Sequence, residues 1–328
     1  MDFAVYEVKD DNPYEEMITA NGDRVILLPS IKKQNDHKVA CKRILEEGKY
    51  DVIHDNTLML SYCLMKTAEK YVPVRILHSH NSKLSDSKLK EFRNKAILPF
   101  LKKTATNYAA CSELAAKAMF GNADYQFIPN VISCADFCFN EQTRNSVRKK
   151  LGVEDKFVIG TVGRPSPQKN PYFAIDVVRE FAKTIPNIEY WWIGSGTLSQ
   201  QVEKYIADNN LSDYIKLLGN RTDIPDLYQA MDCFFLPSLF EGLPVTAIEA
   251  QAMGLPCLIS DTVTRELVYT DLVQYISLDN KEGWIQALQD VSKRKERTGR
   301  SQDLLKSQFA DVNAGELLQD YYESLLLR

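Results

Sequence analysis

Two stretches in the second half of this 328-residue chain carry charged side chains at spacings suited to binding an anion beside a polyol. In Gly163-Arg164-Pro165-Ser166-Pro167-Gln168-Lys169-Asn170-Pro171, Pro165 and Pro167 stiffen a loop that presents two cations. Gly163 permits a sharp backbone turn, and Asn170-Pro171 reads as the N-cap and first residue of a helix. Two rigidly held cations suit a diphosphate; the plain alternative is a pair of solvated surface charges. The second stretch is Phe240-Glu241-Gly242-Leu243-Pro244-Val245, running on to Glu249. Pro244 suits the first turn of a helix, so the amides of Gly242, Leu243 and Val245 face outward at the positive helix end, where phosphate binds. Glu241 and Glu249 are poor partners for phosphate, but carboxylates accept hydrogen bonds from the vicinal hydroxyls of ribose or another sugar. Glu241 could instead be a capping acid; a solvated face suits Glu249 less, flanked as it is by Ala247, Ile248 and Ala250.

The first half offers His78-Ser79-His80-Asn81 at a strand's end, holding two of the chain's four histidines. His54 ends another expected strand and is a weaker third candidate; Ser112 lies just past a third and is equally read as an N-cap. Gly194-Ser195-Gly196 is half of G-x-G-x-x-G, with Ser199 in place of the third glycine, and does not indicate a dinucleotide. Seven cysteines form no Cys-x-x-Cys pair; Cys134 and Cys138 are the nearest two, and the set is expected to be reduced and to serve packing. No Asp-x-Asp pair is present to hold a divalent metal against a diphosphate, so neither metal nor cofactor is expected. Lys293-Arg294-Lys295-Glu296-Arg297 reads as a solvated helix end.

Loops positioned this way need parallel strands. Apolar runs are expected as strands at Arg24–Leu28, Asp51–His54, Val74–Ser79, Thr106–Cys111 and Gln126–Ile128, then at Phe157–Val162, Tyr190–Ile193, Ile215–Leu218, Cys233–Leu236 and Cys257–Ile259. Helical patterns separate them, and strands apolar on both faces between helices mark helix-covered parallel sheets. Two such series predict an α/β chain of two Rossmann-like domains, over 1–148 and 149–308, with 309–328 a terminal helix packing back on the first. The seam falls in the polar stretch Asn140–Lys150, which has no apolar stripe. Ligands of such sheets bind beyond the carboxyl ends of the strands, where the residues above lie.

Composition narrows the partners. At 45% hydrophobic and 26% charged, the chain is globular rather than disordered. Its net charge of −4 argues against a dedicated nucleic-acid binder, although residues 1–150 carry net +4 and the remainder −8. No apolar run reaches the ~18 residues of a membrane span, and the start lacks a basic leader, so a cytoplasmic protein is expected. Between Lys83 and Lys103, seven basic and two acidic residues interleave with Leu84, Phe92, Ile97, Leu98, Phe100 and Leu101. Such a segment suits an anionic membrane surface, at the inner face of the membrane, as well as it suits a core-facing helix.

Taken together, the Arg164/Lys169 loop, Glu241-x7-Glu249 within Phe-Glu-Gly-Leu-Pro, and Ala252-Met253-Gly254-Leu255-Pro256 resemble the retaining nucleotide-sugar glycosyltransferases of the GT-B fold, family 4, in the branch that builds bacterial surface polysaccharides. Ala110-Cys111-Ser112-Glu113, Ile128-Pro129-Asn130-Val131 and Leu218-Gly219-Asn220-Arg221-Thr222-Asp223 agree, and the match is continuous from about Ser112 to Asp261. The resemblance implies that Arg164 and Lys169 neutralise the donor diphosphate, Glu249 holds the ribose, Glu241 contacts the transferred sugar, and Arg221 lies near the base. It also implies that His80, with His78 second, approaches the sugar from the acceptor side. A UDP-sugar donor, a glycan or lipid-linked acceptor, and catalysis without a metal follow; the rival is a silent paralogue that partners another transferase. Family members begin with a strand and glycine-rich loop ahead of the segment that Asp2-Phe3-Ala4-Val5-Tyr6 resembles. The first domain is therefore expected to be truncated, with the gene starting upstream or a partner or second copy lending surface.

Overall fold

The computed structural model describes residues 1–6, 13–85, 88–185, 187–294 and 296–327. The first half runs β1 (Asp2–Val5), α1 (Pro13–Ala20), β2 (Arg24–Leu27), α2 (Gln34–Gly48), β3 (Val52–Asp55), α3 (Tyr62–Ala68), β4 (Val74–Ser79), α4 (Lys88–Lys102), β5 (Asn107–Ala110), α5 (Glu113–Phe120) and β6 (Gln126–Phe127). The second runs α6 (Glu141–Leu151), β7 (Phe157–Val162), α7 (Pro171–Ala182), β8 (Ile188–Ile193), α8 (Ser199–Asp208), β9 (Ile215–Gly219), α9 (Ile224–Ala230), β10 (Cys233–Leu236), α10 (Val245–Ala252), β11 (Cys257–Ser260), β12 (Val273–Ile276), α11 (Lys281–Ser292), α12 (Ser301–Leu305) and α13 (Ala314–Leu326). Asp86 and Ser87, within the basic segment Lys83 to Lys103, and Lys295 lie outside the described residues.

The second lobe is one parallel sheet in the order β12-β11-β10-β7-β8-β9. Its pleat explains the doubly apolar strands. Tyr190, Trp192, Cys233 and Phe235 face the layer of α7 and α11, where Phe181 and Trp284 are fully buried. The alternate residues Trp191, Ile193, Phe234 and Leu236 pack on the opposite layer with α9 and α10.

In the first lobe, four parallel strands follow the order β3-β4-β5-β6, while β1 pairs only with β2. The strands of this domain, expected to be truncated, divide into two sheets, and among the described residues no ladder joins β1 to β3. Side chains span the break: the Tyr50 hydroxyl donates to the Asp2 carboxylate, and Tyr6 Oη donates to the Leu60 carbonyl at 2.9 Å. One face of the four-stranded sheet is covered by Tyr321, Tyr322 and Leu325 of α13, which pack on Val74, Ile76 and Ala109.

The stretch expected as a polar seam is the helix α6. It lacks an apolar stripe because guanidinium groups dock it. Arg144 and Arg148 donate to the carbonyls of Gln229, Ala230 and Met231 at the end of α9 and pair with Asp232. Arg297, expected to be solvated, is half-buried and donates to the carbonyls of Tyr228, Gln229, Met231 and Met253. Among the described residues no helix is long and apolar enough to cross a membrane.

Candidate active site between the lobes

The loop after β7 takes its shape from close backbone approaches. Gly163 has φ +155°, and Gly194, after β8, has φ +130° with its Cα so near the Gly163 carbonyl that a Cβ would lie 2.5 Å from that oxygen. A Cβ on Gly196 would lie 2.4 Å from the Pro165 carbonyl oxygen. The Gly-Ser-Gly segment thus exists to nest beneath the cation loop, and Leu198 N donates to Pro165 O at 3.0 Å. Asn170 stands at the N-cap of α7 as expected but in the left-handed region, with no side-chain capping bond. Pro244, expected in the first turn of α10, is its N-cap residue.

This loop meets the one after β10. Lys169 Nζ lies 2.7 Å from Glu241 Oε1, an ion pair off the angle of a well-directed hydrogen bond, with both side chains largely buried. Gln168 Nε2 donates to Glu241 Oε2 at 3.1 Å and to Phe240 O at 3.0 Å, and Leu239 N donates back to Gln168 O. Gln168 therefore fixes the Glu241 carboxylate from its other oxygen; a lone glutamine gave no sequence signal of this. Arg164 is exposed and makes no hydrogen bond or ion pair among the described residues. Glu249 accepts from Tyr228 Oη at 2.9 Å, and burial pushes its carboxyl up to about 7. Arg221, beyond β9, is paired with Asp223 at the surface.

The first lobe closes against this loop pair. Gly242 packs on the His80 carbonyl, Lys83 Nζ lies 4.0 Å above the Phe240 ring, and the Glu266 carboxylate accepts from Glu113 N at the start of α5. His80 stands between Asn130 Oδ1 (3.1 Å) and Asn56 Oδ1 (2.8 Å), which come from beyond β6 and β3. Behind it, His78 Nδ1 meets His54 Nε2 at 3.0 Å, and His54 Nδ1 meets Tyr322 Oη at 2.7 Å. Burial lowers all three imidazoles, His54 to about 4, which favours the neutral ring. Ser112 Oγ caps α5 by accepting from Ala115 N at 3.1 Å.

Among the described residues, six buried side-chain polar atoms lack a hydrogen-bond partner. Five are His78 Nε2, Ser82 Oγ, Ser238 Oγ, Glu241 Oε1 and Thr246 Oγ1, all on β4 or β10, the loop after either, or α10. Glu241 Oε1 has the Lys169 ammonium beside it; a buried polar atom with no partner at all costs roughly 1–3 kcal/mol, and the other four, on segments that meet, mark a surface built to receive polar groups.

Residues 143–298 match the family described as glycosyl transferases group 1. EpsF of Bacillus subtilis (strain 168), named as a glycosyltransferase, is 30% identical over 283 residues, covering 81% of this chain and 72% of that protein. This chain belongs to the group 1 glycosyl transferases. An Escherichia coli relative named UDP-Gal:alpha-D-GlcNAc-diphosphoundecaprenol alpha-1,3-galactosyltransferase is 29% identical over 244 residues, 71% of this chain and 63% of that one. Among solved structures, Anabaena Alr3699/HepE in complex with UDP and glucose superposes with a TM-score of 0.80 at 19% identity, over 98% of this chain and 91% of that one. Sucrose-phosphate synthase from Thermosynechococcus elongatus gives 0.80 at 16% identity, over 99% and 89%. The fold of this glycosyl transferase is GT-B.

Proposed function

We propose that this chain is a retaining hexosyltransferase that moves a sugar from a nucleotide-sugar, UDP-linked in preference, to a glycan or lipid-linked glycan acceptor in capsule or exopolysaccharide synthesis. The observation that carries this reading is the set of unpartnered buried polar atoms around the Lys169–Glu241 pair. Hydroxyl and phosphoryl oxygens are the groups such a surface takes. Donor and acceptor classes are supported by the HepE complex with UDP and glucose and by the E. coli relative's name.

In this reading Arg164, Lys169 and the amides of Gly163, Gly242 and Leu243 stabilise the diphosphate as it departs, a role that preorganised charge fills without a metal. Lys169 is already paired with Glu241, whereas Arg164 has no partner among the described residues. Glu249 accepts from the ribose, Arg221 borders the base, Glu241 accepts from the transferred sugar, and His80 and His78 stand on the acceptor side. The leaving diphosphate takes the acceptor's proton on the same face of the sugar. α4 holds the protein at an anionic membrane, where lipid-linked acceptors lie.

Thermal shift with UDP, GDP and ADP tests the donor assignment. UDP at 100 times its Kd should add about 2.7 kcal/mol of apparent stability, more than GDP or ADP at equal concentration. No shift with any nucleoside diphosphate would overturn the reading.

A further inference from the structure

His37, Cys41 and Cys63 come together in the first lobe, on residues the transfer reaction does not use. His37 and Cys41 stand four apart on one face of α2, Cys63 reaches across from α3, and the three donor atoms lie within 4.8 Å of one another. We propose that His37 Nε2, Cys41 Sγ and Cys63 Sγ bind one Zn²⁺, with solvent as the fourth ligand, and that the ion clips α2 to α3.

The geometry is already close to that of a metal centre. Zinc–sulfur and zinc–nitrogen bonds of ~2.3 and ~2.0 Å at a tetrahedral angle separate S and N by about 3.5 Å. Cys41 Sγ lies 3.5 Å from His37 Nε2. The other ring nitrogen, His37 Nδ1, is 2.7 Å from the Pro29 carbonyl oxygen. A carbonyl only accepts, so Nδ1 carries the proton and the Nε2 lone pair points at the sulfurs. Metal-binding histidines are oriented by the same kind of outer contact. The Tyr6 ring stacks on His37 at 5.8 Å and shields one side. Cys41 is fully buried, whereas Cys63 is only half-buried and leaves a way in for the ion and its water. On binding, the two thiols release their protons to solvent and the imidazole supplies its lone pair, giving a neutral centre.

The site also has a structural purpose. The cluster around it is small, with Leu28, Leu45, Leu64 and Val72 as its largest buried members, and it lies beside the break between β1 and β3. A thin core gains from a staple. A search for Cys-x-x-Cys misses a set divided between two helices.

The test is Co²⁺ and Zn²⁺ titration of the whole chain, reduced with a phosphine and freed of metal. One equivalent of Co²⁺ should give thiolate-to-cobalt charge-transfer absorption that Zn²⁺ bleaches. Cys63→Ser should abolish the band while keeping the wild-type circular dichroism spectrum, and Cys138→Ser, altering an exposed thiol, should leave it intact. Zn²⁺ should raise the Tm of the wild type and not of Cys63→Ser. A wild-type chain with no thiolate band, or a band that survives in Cys63→Ser, overturns the proposal. Nucleotide binding by the second lobe is read separately, so either assignment can fail alone.

Discussion

Gly242 and His80, from opposite lobes, touch through their backbones: a Cβ built on Gly242 would stand 2.2 Å from the His80 carbonyl oxygen and 3.2 Å from Asn81 Cα. No side-chain rotation relieves a clash with main chain. The contact sets how closely the loop bearing Glu241 approaches the histidine strand.

Gly242→Ala should therefore wedge the lobes apart. Overpacking costs about 1–3 kcal/mol where it is confined in a core, but here rigid-body opening absorbs part of it. The expected result is a small loss in Tm and at least a tenfold loss in kcat/KM. A large melting shift with undiminished kinetics would place the contact in the core rather than at the site.

The two cations should separate by stability. Arg164→Ala removes an exposed, unpaired side chain and should leave unfolding free energy within about 0.5 kcal/mol of wild type. Lys169→Ala strands the Glu241 carboxylate in a largely buried position and should cost about 3 kcal/mol. Each should lower kcat by about 10²–10³-fold, as the loss of one preorganised stabilising group does. Transfer should proceed at the same rate with and without added Mg²⁺ or Mn²⁺. Rates that require either ion would show that the side chains do not suffice.

What the sequence disclosed here follows from what its patterns encode. β7, β8, β10 and β11 were legible because helices cover both of their faces, and the cation loop and Glu241/Glu249 followed from those strand ends. β1 and β12 are half-exposed strands at sheet edges, and neither stood out as a buried run. α6 was hidden for a different reason. Its attachment is hydrogen bonding from Arg144 and Arg148 to carbonyls, which leaves no hydrophobic period to read. Gln168 and Asn56 act through contacts between loops far apart in the chain, and residue type alone does not announce that.

Glu249 should make nucleotide binding pH-dependent. Its folded carboxyl titrates at about 7, above the ordinary 4.5, because burial penalises the charge. The folded state therefore holds the proton more tightly than the unfolded chain. The stability this confers is full below about pH 4.5 and is lost as pH rises through 7. Ribose hydroxyls want the ionised acceptor, so affinity for UDP should run the other way, rising from pH 5.5 to pH 8. Glu249→Gln should bind more weakly at pH 8 and lose the pH dependence. Calorimetry at the two pH values decides it, and a mutant that keeps the wild-type slope would assign the titration to another group. Glu241→Ala, by contrast, should spare bare UDP and weaken only the sugar-bearing donor.

α4 presents the last expectation. Its basic character alone fits a helix that faces the core and turns its lysines to water. One face does pack on the core through Leu98 and Leu101, while the rest stands open: Leu89 is 81% exposed, Phe92 76% and Phe100 59%. Lys95 is committed to Glu91 at 2.8 Å, Lys102 donates to the Phe120 carbonyl and Arg93 to Asn94 Oδ1. Large apolar side chains standing in water beside lysines match an interfacial helix, whose affinity sums buried apolar area and attraction to anionic lipid. Vesicles containing phosphatidylserine or phosphatidylglycerol should sediment the protein, neutral vesicles should not, and salt should release it. Phe92→Ser with Phe100→Ser should weaken that binding at least tenfold while leaving Tm near the wild-type value, since neither ring is buried. Equal binding to neutral and anionic vesicles, or full binding by the double variant, would leave these phenylalanines without a membrane role.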